Sequence, residues 1–293
     1  MSAAAGTSSG AAAASLDVPT ASRPGISSSP LALALHAEWT KFRTLPGMFW
    51  LLAATAVLTG VVGTAVSATF SCTPGYCSPA DTGADPAKLA LTGLYLGQVL
   101  AACVGVLVVG GEYDTGMIRV TLAAMPGRLR VLAAKAVVVL AAVLAASLVG
   151  VLGSFIAGRL ILPGRGLSAA NGYVVLSLSD GTDLRAFCCA AAYLVLIALM
   201  AAGITMAVRQ SGAAIGIVLG LLFLFPIIAG VAPSHWLARH LNQASPMMAG
   251  SYAQATVGLK ALPLTPWQGL GVVALWAVGA LLLGGLVLRF RDA

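Results

Sequence analysis

Six stretches of the chain run apolar for roughly 20 residues or more, the length an α-helix needs to cross a bilayer. They cover about 48–68, 89–109, 131–157, 187–208, 213–232 and 267–288. No Asp, Glu, Arg or His stands in the middle of any of them. Before the first, residues 31–45 read LALALHAEWTKFRTL. Leu31, Leu35, Trp39 and Phe42 fall on one helical stripe, with Lys41 and Arg43 to either side. The pattern predicts an all-α integral membrane protein, with six transmembrane helices preceded by an interfacial amphipathic helix over 31–47. Glu38 breaks the stripe. An i, i+3 pair with Lys41 accounts for it within the helix, and contact with a partner protein is the alternative.

The polar segments set the rest of the organisation. Residues 1–30 are rich in Ala, Ser, Gly and Pro and read as a disordered cytoplasmic tail. They lack the basic start and apolar core of a secretory signal. The transmembrane domain is expected over 48–288, with a short cytoplasmic tail at 289–293. An even number of spans puts both termini on one side. With that side inside, the inner flanks hold Lys41, Arg43, Arg119, Arg128, Arg130, Lys135, Arg209, Arg289 and Arg291. The outer flanks hold only Lys88, Arg159, Arg165, Arg185, Arg239 and Lys260. The excess makes both termini cytoplasmic in a multi-pass plasma-membrane protein. Lys135, a few residues into the third span, is expected to snorkel to the headgroups.

Composition agrees. Of 293 residues only 9% are charged, against about a quarter in soluble domains. Mean hydropathy is +0.96. The net charge of +7 is scattered at span ends, which suits anionic lipid and gives no nucleic-acid patch.

Chemistry is sparse. There is no catalytic constellation, no metal-ligand spacing and no G-x-x-x-x-G-K-[ST] phosphate cradle. The chain is not expected to be an enzyme or to hold a cofactor, so energy for vectorial work must come from another chain. Cys103, Cys188 and Cys189 read as packing residues. Cys72 and Cys77 flank Pro74–Gly75 in an outer loop, where a disulfide can persist. The loop at 233–266, with His235, Trp236 and His240, reads as interfacial or partly re-entrant. Gly212, Gly216 and Gly220 form a small face on the fifth span, suited either to packing within the subunit or to a contact between subunits. Pro226 is expected to kink the same helix. The spans hold no distinctive polar pocket.

The inner loop GGEYDTGMIRVTLAAMPGRLRVLAAK, residues 110–135, is the most informative segment. Glu112 and Asp114 precede Thr115 and Gly116, and a helical run over Met117–Ala124 stops at Pro126–Gly127. Acid before and base after complement a helix dipole. Glu112 is expected to cap this helix and to face a partner, with Arg119 two turns on. Reversal of either charge should then leave insertion intact. An ordinary solvated loop explains the charges equally well.

A resemblance separates these readings. The loop is similar to the E-Y-x-x-G-x-I-R-x-x-L-x-x-x-P-x-R segment after the second span of exporter-type ABC transporter permeases, the type-two family. Glu112, Tyr113, Gly116, Ile118, Arg119, Leu122, Pro126 and Arg128 match in place. Residues 36–50 and 208–217 also resemble family segments. The resemblance implies a permease that dimerises with a second copy or homologue and docks two cytosolic ATP-binding subunits, which carry ATP and Mg. It makes 111–130 the ATPase-coupling loop and 31–45 the elbow helix. A stand-alone secondary transporter and a non-transport scaffold or sensor subunit are the rival readings.

Overall fold

The structure is a computed structural model and describes residues 30–44, 46–72, 78–124 and 127–290. The expected tail at 1–30 lies outside them except for Pro30, as do Cys77, Pro126 and residues 291–293. Every long element is a helix, with no strand among the described residues. The leading helix is Pro30–Thr44. The six long apolar helices are Pro46–Thr69, Pro86–Asp114, Arg128–Ile161, Gly181–Val208, Ser211–Val231 and Pro266–Phe290. The described residues form a six-span membrane protein. The predicted spans match these helices, but the second runs on to Asp114 and the fourth begins at Gly181.

The fourth span is the axis of the bundle and the most buried of the six. It packs against the second, third and sixth, while the first lies on the second and third. Lipid is as apolar as leucine, so these helices gain little from hydrophobicity and adhere through close packing. Gly105 sets one such contact: a Cβ there would overlap the backbone of Ala198. Gly203 and Gly284 set another, because a Cβ on Gly284 would stand 2.6 Å from the Gly203 carbonyl oxygen. Hydroxyls inside the first span bond to their own helix, Thr55 to Leu51 O and Thr59 to Thr55 O, both at 2.7 Å. They therefore cost little in a membrane.

The 233–266 segment folds into two helices. His235–Ala244 is capped by Ser234 and stays outside the bundle, with Trp236 exposed. Pro246–Ala253 is capped by Ser245 and turns back into the bundle, burying Ala249, Gly250, Tyr252 and Ala253 against the fourth, fifth and sixth spans. An even span number leaves the leading helix and the end of the sixth span at one end of the bundle, here the terminal end. The two folded-back helices stand at the far end.

Candidate functional site

Three consecutive residues at the last turn of the second span reach different neighbours. Glu112 turns toward the leading helix and the third span. Its Oε1 lies 2.9 Å from Lys41 Nζ and 2.8 Å from Lys135 Nζ. Tyr113 donates its hydroxyl to Met206 Sδ on the fourth span at 3.2 Å, and the Arg209 guanidinium lies 5.9 Å from its ring centroid. Asp114 accepts the Ser211 hydroxyl at 2.5 Å, at the start of the fifth span. The turn at 209–212 is thus held to the end of the second span. Arg209 adopts φ 64° as the fourth span ends, with its N–H on Thr205 O at 2.7 Å. Gly116 takes φ +71° to turn the chain out of the second span, a conformation glycine adopts without strain.

The first of these contacts belongs to a four-charge cluster. Glu38 Oε2 lies 2.8 Å from Lys135 Nζ, and its Oε1 lies 3.3 Å from Lys41 Nζ. Lys135 is 1% exposed, Glu38 3% and Glu112 7%. Two ammoniums and two carboxylates alternate, so the cluster is neutral. That neutrality is what makes its burial tolerable, because an uncompensated charge here would cost several kcal/mol. Lys41 is the outermost member and also donates to Thr121 Oγ1 at 3.2 Å. Burial pulls its pKa down, but the hydrogen bond to Glu112 and the fields of Glu38 and Glu112 outweigh it and leave the amine above the ordinary lysine value.

Thr121 sits on the short loop helix Met117–Ala124. The cluster therefore ties together four elements: the leading helix, the end of the second span, the loop helix and the start of the third span. Ile118 and Thr121 form the inward face of the loop helix, at 4% and 6% exposure. Met117 and Val120 face outward, at 48% and 71%. Arg119 lies within the loop helix and Arg128 opens the third span.

Several expectations change on this geometry. Glu112 does not cap the loop helix; its carboxylate is buried between two lysines, and Oε2 has no hydrogen-bond partner among the described residues. A charge reversal there strikes the fold, not a free surface. Lys135 does not snorkel, because two carboxylates within reach hold it inside. Glu38 makes its i+3 pair with Lys41 but gives its other oxygen to Lys135. The inward face of the leading helix is accordingly Ala34 and Glu38, while Trp39 of the apolar stripe stays exposed. Gly212, Gly216 and Gly220 do not pack within the subunit. A Cβ at any of them meets nothing within 4 Å, and the fifth span buries Ala214, Val218 and Leu222 on its other side.

Cys72 is disulfide-bonded, while Cys103, Cys188 and Cys189 are free. The far end also holds a polar cavity that composition did not reveal, lined by Lys88, Tyr95, Tyr193 and Ser251. A metal-binding group of three or more His, Cys, Asp or Glu does not occur among the described residues. No protein-family model matches the chain, and no curated protein matches it.

Proposed function

We propose that this chain is the permease subunit of an ATP-driven exporter of the type-two ABC class. The observation that carries the reading is the reach of Lys41, which bonds at once to Glu112 and to Thr121. Through it the loop helix is fastened to the leading helix and, by way of Glu38 and Lys135, to the third span. A cytosolic ATPase pressing on the loop helix moves four elements together. Met117 and Val120 give that partner an apolar foothold, flanked in sequence by the basic Arg119.

The fifth span supports a second copy. Its glycine face is open, and small residues let two membrane helices approach closely. In this reading the two copies enclose the path, both termini face the cytoplasm of a plasma membrane, and ATP-driven closure of two ATPase subunits alternates access. The permease itself contributes no catalytic group; ATP and Mg stay with the partner.

Val120→Asp tests the docking face without touching the cluster. The variant should insert and melt like the wild type but lose copurification of the ATP-binding subunit proposed as its partner, and with it ATP-dependent export. Full ATPase binding and export in the variant would overturn the assignment. So would substrate movement driven by an ion gradient in vesicles that hold this chain alone.

A further inference from the structure

The far end of the bundle contains a cavity of about 370 Å³ between the start of the second span, the fourth span and the helix Pro246–Ala253. That volume falls in the range of small-ligand sites. Its polar wall combines Asp85 at the head of the second span, Lys88, Thr92 and Tyr95 within it, Tyr193 from the fourth, and Ser251 and Gln254 from the folded-back segment.

The state of each group narrows the ligand. Asp85 is the acid nearest in sequence to Lys88, but its carboxylate is already committed. Oδ1 accepts from Ala87 N at 3.0 Å, Lys88 N at 3.3 Å and Thr256 Oγ1 at 2.7 Å. Oδ2 accepts from Thr256 N at 2.6 Å and Val257 N at 3.1 Å. These bonds pin the 254–257 segment to the second span and so fix the cavity wall. The Lys88 amine, by contrast, has no salt bridge among the described residues. It lies 6.0 Å from the Tyr252 ring centroid. Arg185 spends its guanidinium on the carbonyls of Ala253 and Ala255, at 3.4 and 2.7 Å. Lys88 is therefore the cation of the cavity with no ion pair among the described residues, and Asp85 is the carboxylate that shares its wall.

The hydroxyls point to the rest of the ligand. Thr92 donates to Lys88 O at 3.0 Å, and Ser251 donates to Met248 O at 2.8 Å. Both keep only lone pairs to offer, so they accept, Ser251 also meeting the Tyr95 hydroxyl in the same wall. Tyr193 is fixed behind them by its hydrogen bond to the fully buried Gln98. The cavity thus presents one free ammonium, an amide at Gln254 and hydroxyl acceptors. A bare anion satisfies the first, and a bare sugar satisfies the last. A phosphate that carries hydroxyls satisfies both.

We propose that this cavity binds a hydroxyl-bearing phosphate of the glycerol phosphate type. Lys88 pairs with the phosphate, and Thr92 and Ser251 accept from the hydroxyls. A lipid headgroup and a free polyol phosphate share this chemistry. The inference stands on the cavity alone and does not depend on an ATPase partner.

Native mass spectrometry of the purified full chain, offered equal phosphatidylglycerol and phosphatidylcholine, tests it. One lysine beside an anionic headgroup contributes about 1 kcal/mol, or about fivefold. The glycerol lipid should be enriched by that factor, and Lys88→Gln should bring the two lipids to parity. Arg159→Gln, an exposed basic residue at the same end and outside the cavity, should change nothing. A parallel melt with glycerol 3-phosphate separates the sources. A rise in melting temperature that Lys88→Gln abolishes supports a soluble ligand, and lipid enrichment without such a rise supports a lipid. The proposal is overturned if neither probe binds, if Lys88→Gln leaves binding unchanged, or if Arg159→Gln lowers it as much.

Discussion

Glu112→Lys puts a third ammonium where a carboxylate now receives two, at 2.9 and 2.8 Å. Glu38 alone would then balance Lys41, Lys135 and the new lysine inside a cluster whose core is almost fully buried. Removing one partner of a buried ion pair costs about 3–5 kcal/mol, since the survivor stays desolvated without compensation. Reversal adds repulsion and belongs at the top of that range. At about 2–4 °C per kcal/mol for a chain of this size, melting should fall by roughly 10–20 °C. Fluorescence-detected size exclusion of a heated, detergent-solubilised fusion reads this directly. The swap Glu112→Lys with Lys135→Glu restores neutrality but sets the new lysine against Lys41 and the new glutamate against Glu38, so it should recover only part of the loss. A single variant that melts within about 2 °C of the wild type would refute the reasoning and reduce the cluster to a surface pair of about 0–1 kcal/mol.

Replacing all four charges at once asks a different question. With Glu38→Leu, Lys41→Met, Glu112→Leu and Lys135→Met nothing charged remains to be desolvated. Such replacements are often neutral or stabilising by about 1–4 kcal/mol. The quadruple variant should melt at or above the wild type yet lose ATPase-coupled export, and a large drop in its melting temperature would contradict the first half of that expectation.

Further outcomes follow from single contacts. Thr121→Val removes one bond to Lys41, costs about 0.5–1.5 kcal/mol, and should speed amide exchange over 117–124 more than elsewhere. Gly105→Val drives a side chain into the Ala198 backbone and should cost at least about 1–3 kcal/mol. Gly216→Val meets nothing inside the subunit and should leave the monomer's melting unchanged while weakening its self-association in crosslinking. The pKa of Lys41 is raised in the fold, so its stabilising contribution is complete below about 10.5 and is lost as pH climbs through the raised value. Trp39, on the same helix and stacked with Phe42, should report that release by fluorescence only above pH about 10.5.

The six spans were legible because composition decides them: segments such as 213–232 contain nothing that water would hold. The loop helix was legible too, since Gly116 and Pro126–Gly127 bracket an eight-residue run. The cluster was not. Glu38 and Lys135 are 97 positions apart, and each alone has a local explanation, an i+3 pair for one and snorkelling for the other. Only the packing of the leading helix on the third span brings them to 2.8 Å. One signal was present: an acid inside an apolar stripe and a lysine inside an apolar span, of opposite sign and on the same side of the membrane. The glycine face carried no such signal, because small residues serve internal and external packing alike. Asp85 was hidden for a further reason. It caps its own helix, as its position before Pro86 suggests, yet the same carboxylate reaches the backbone 171 residues away.

The cluster's cost and its placement belong together. Apolar residues of similar size would hold the leading helix to the third span as well or better, so stability does not explain four charges there. What ion pairs add is direction. An apolar face slides along a neighbour with little change in energy, because one methylene contact resembles the next. A carboxylate held by two amines within 3 Å does not slide, since a shift of one helical residue, about 1.5 Å, leaves a buried charge without its partner. The leading helix and the third span are thereby locked in register, and Lys41 extends that lock to the loop helix through Thr121. Tyr113 and Asp114 repeat the arrangement on the other side with the fourth and fifth spans. A displacement of the loop helix then has one outlet, which is movement of the span ends to which it is fastened.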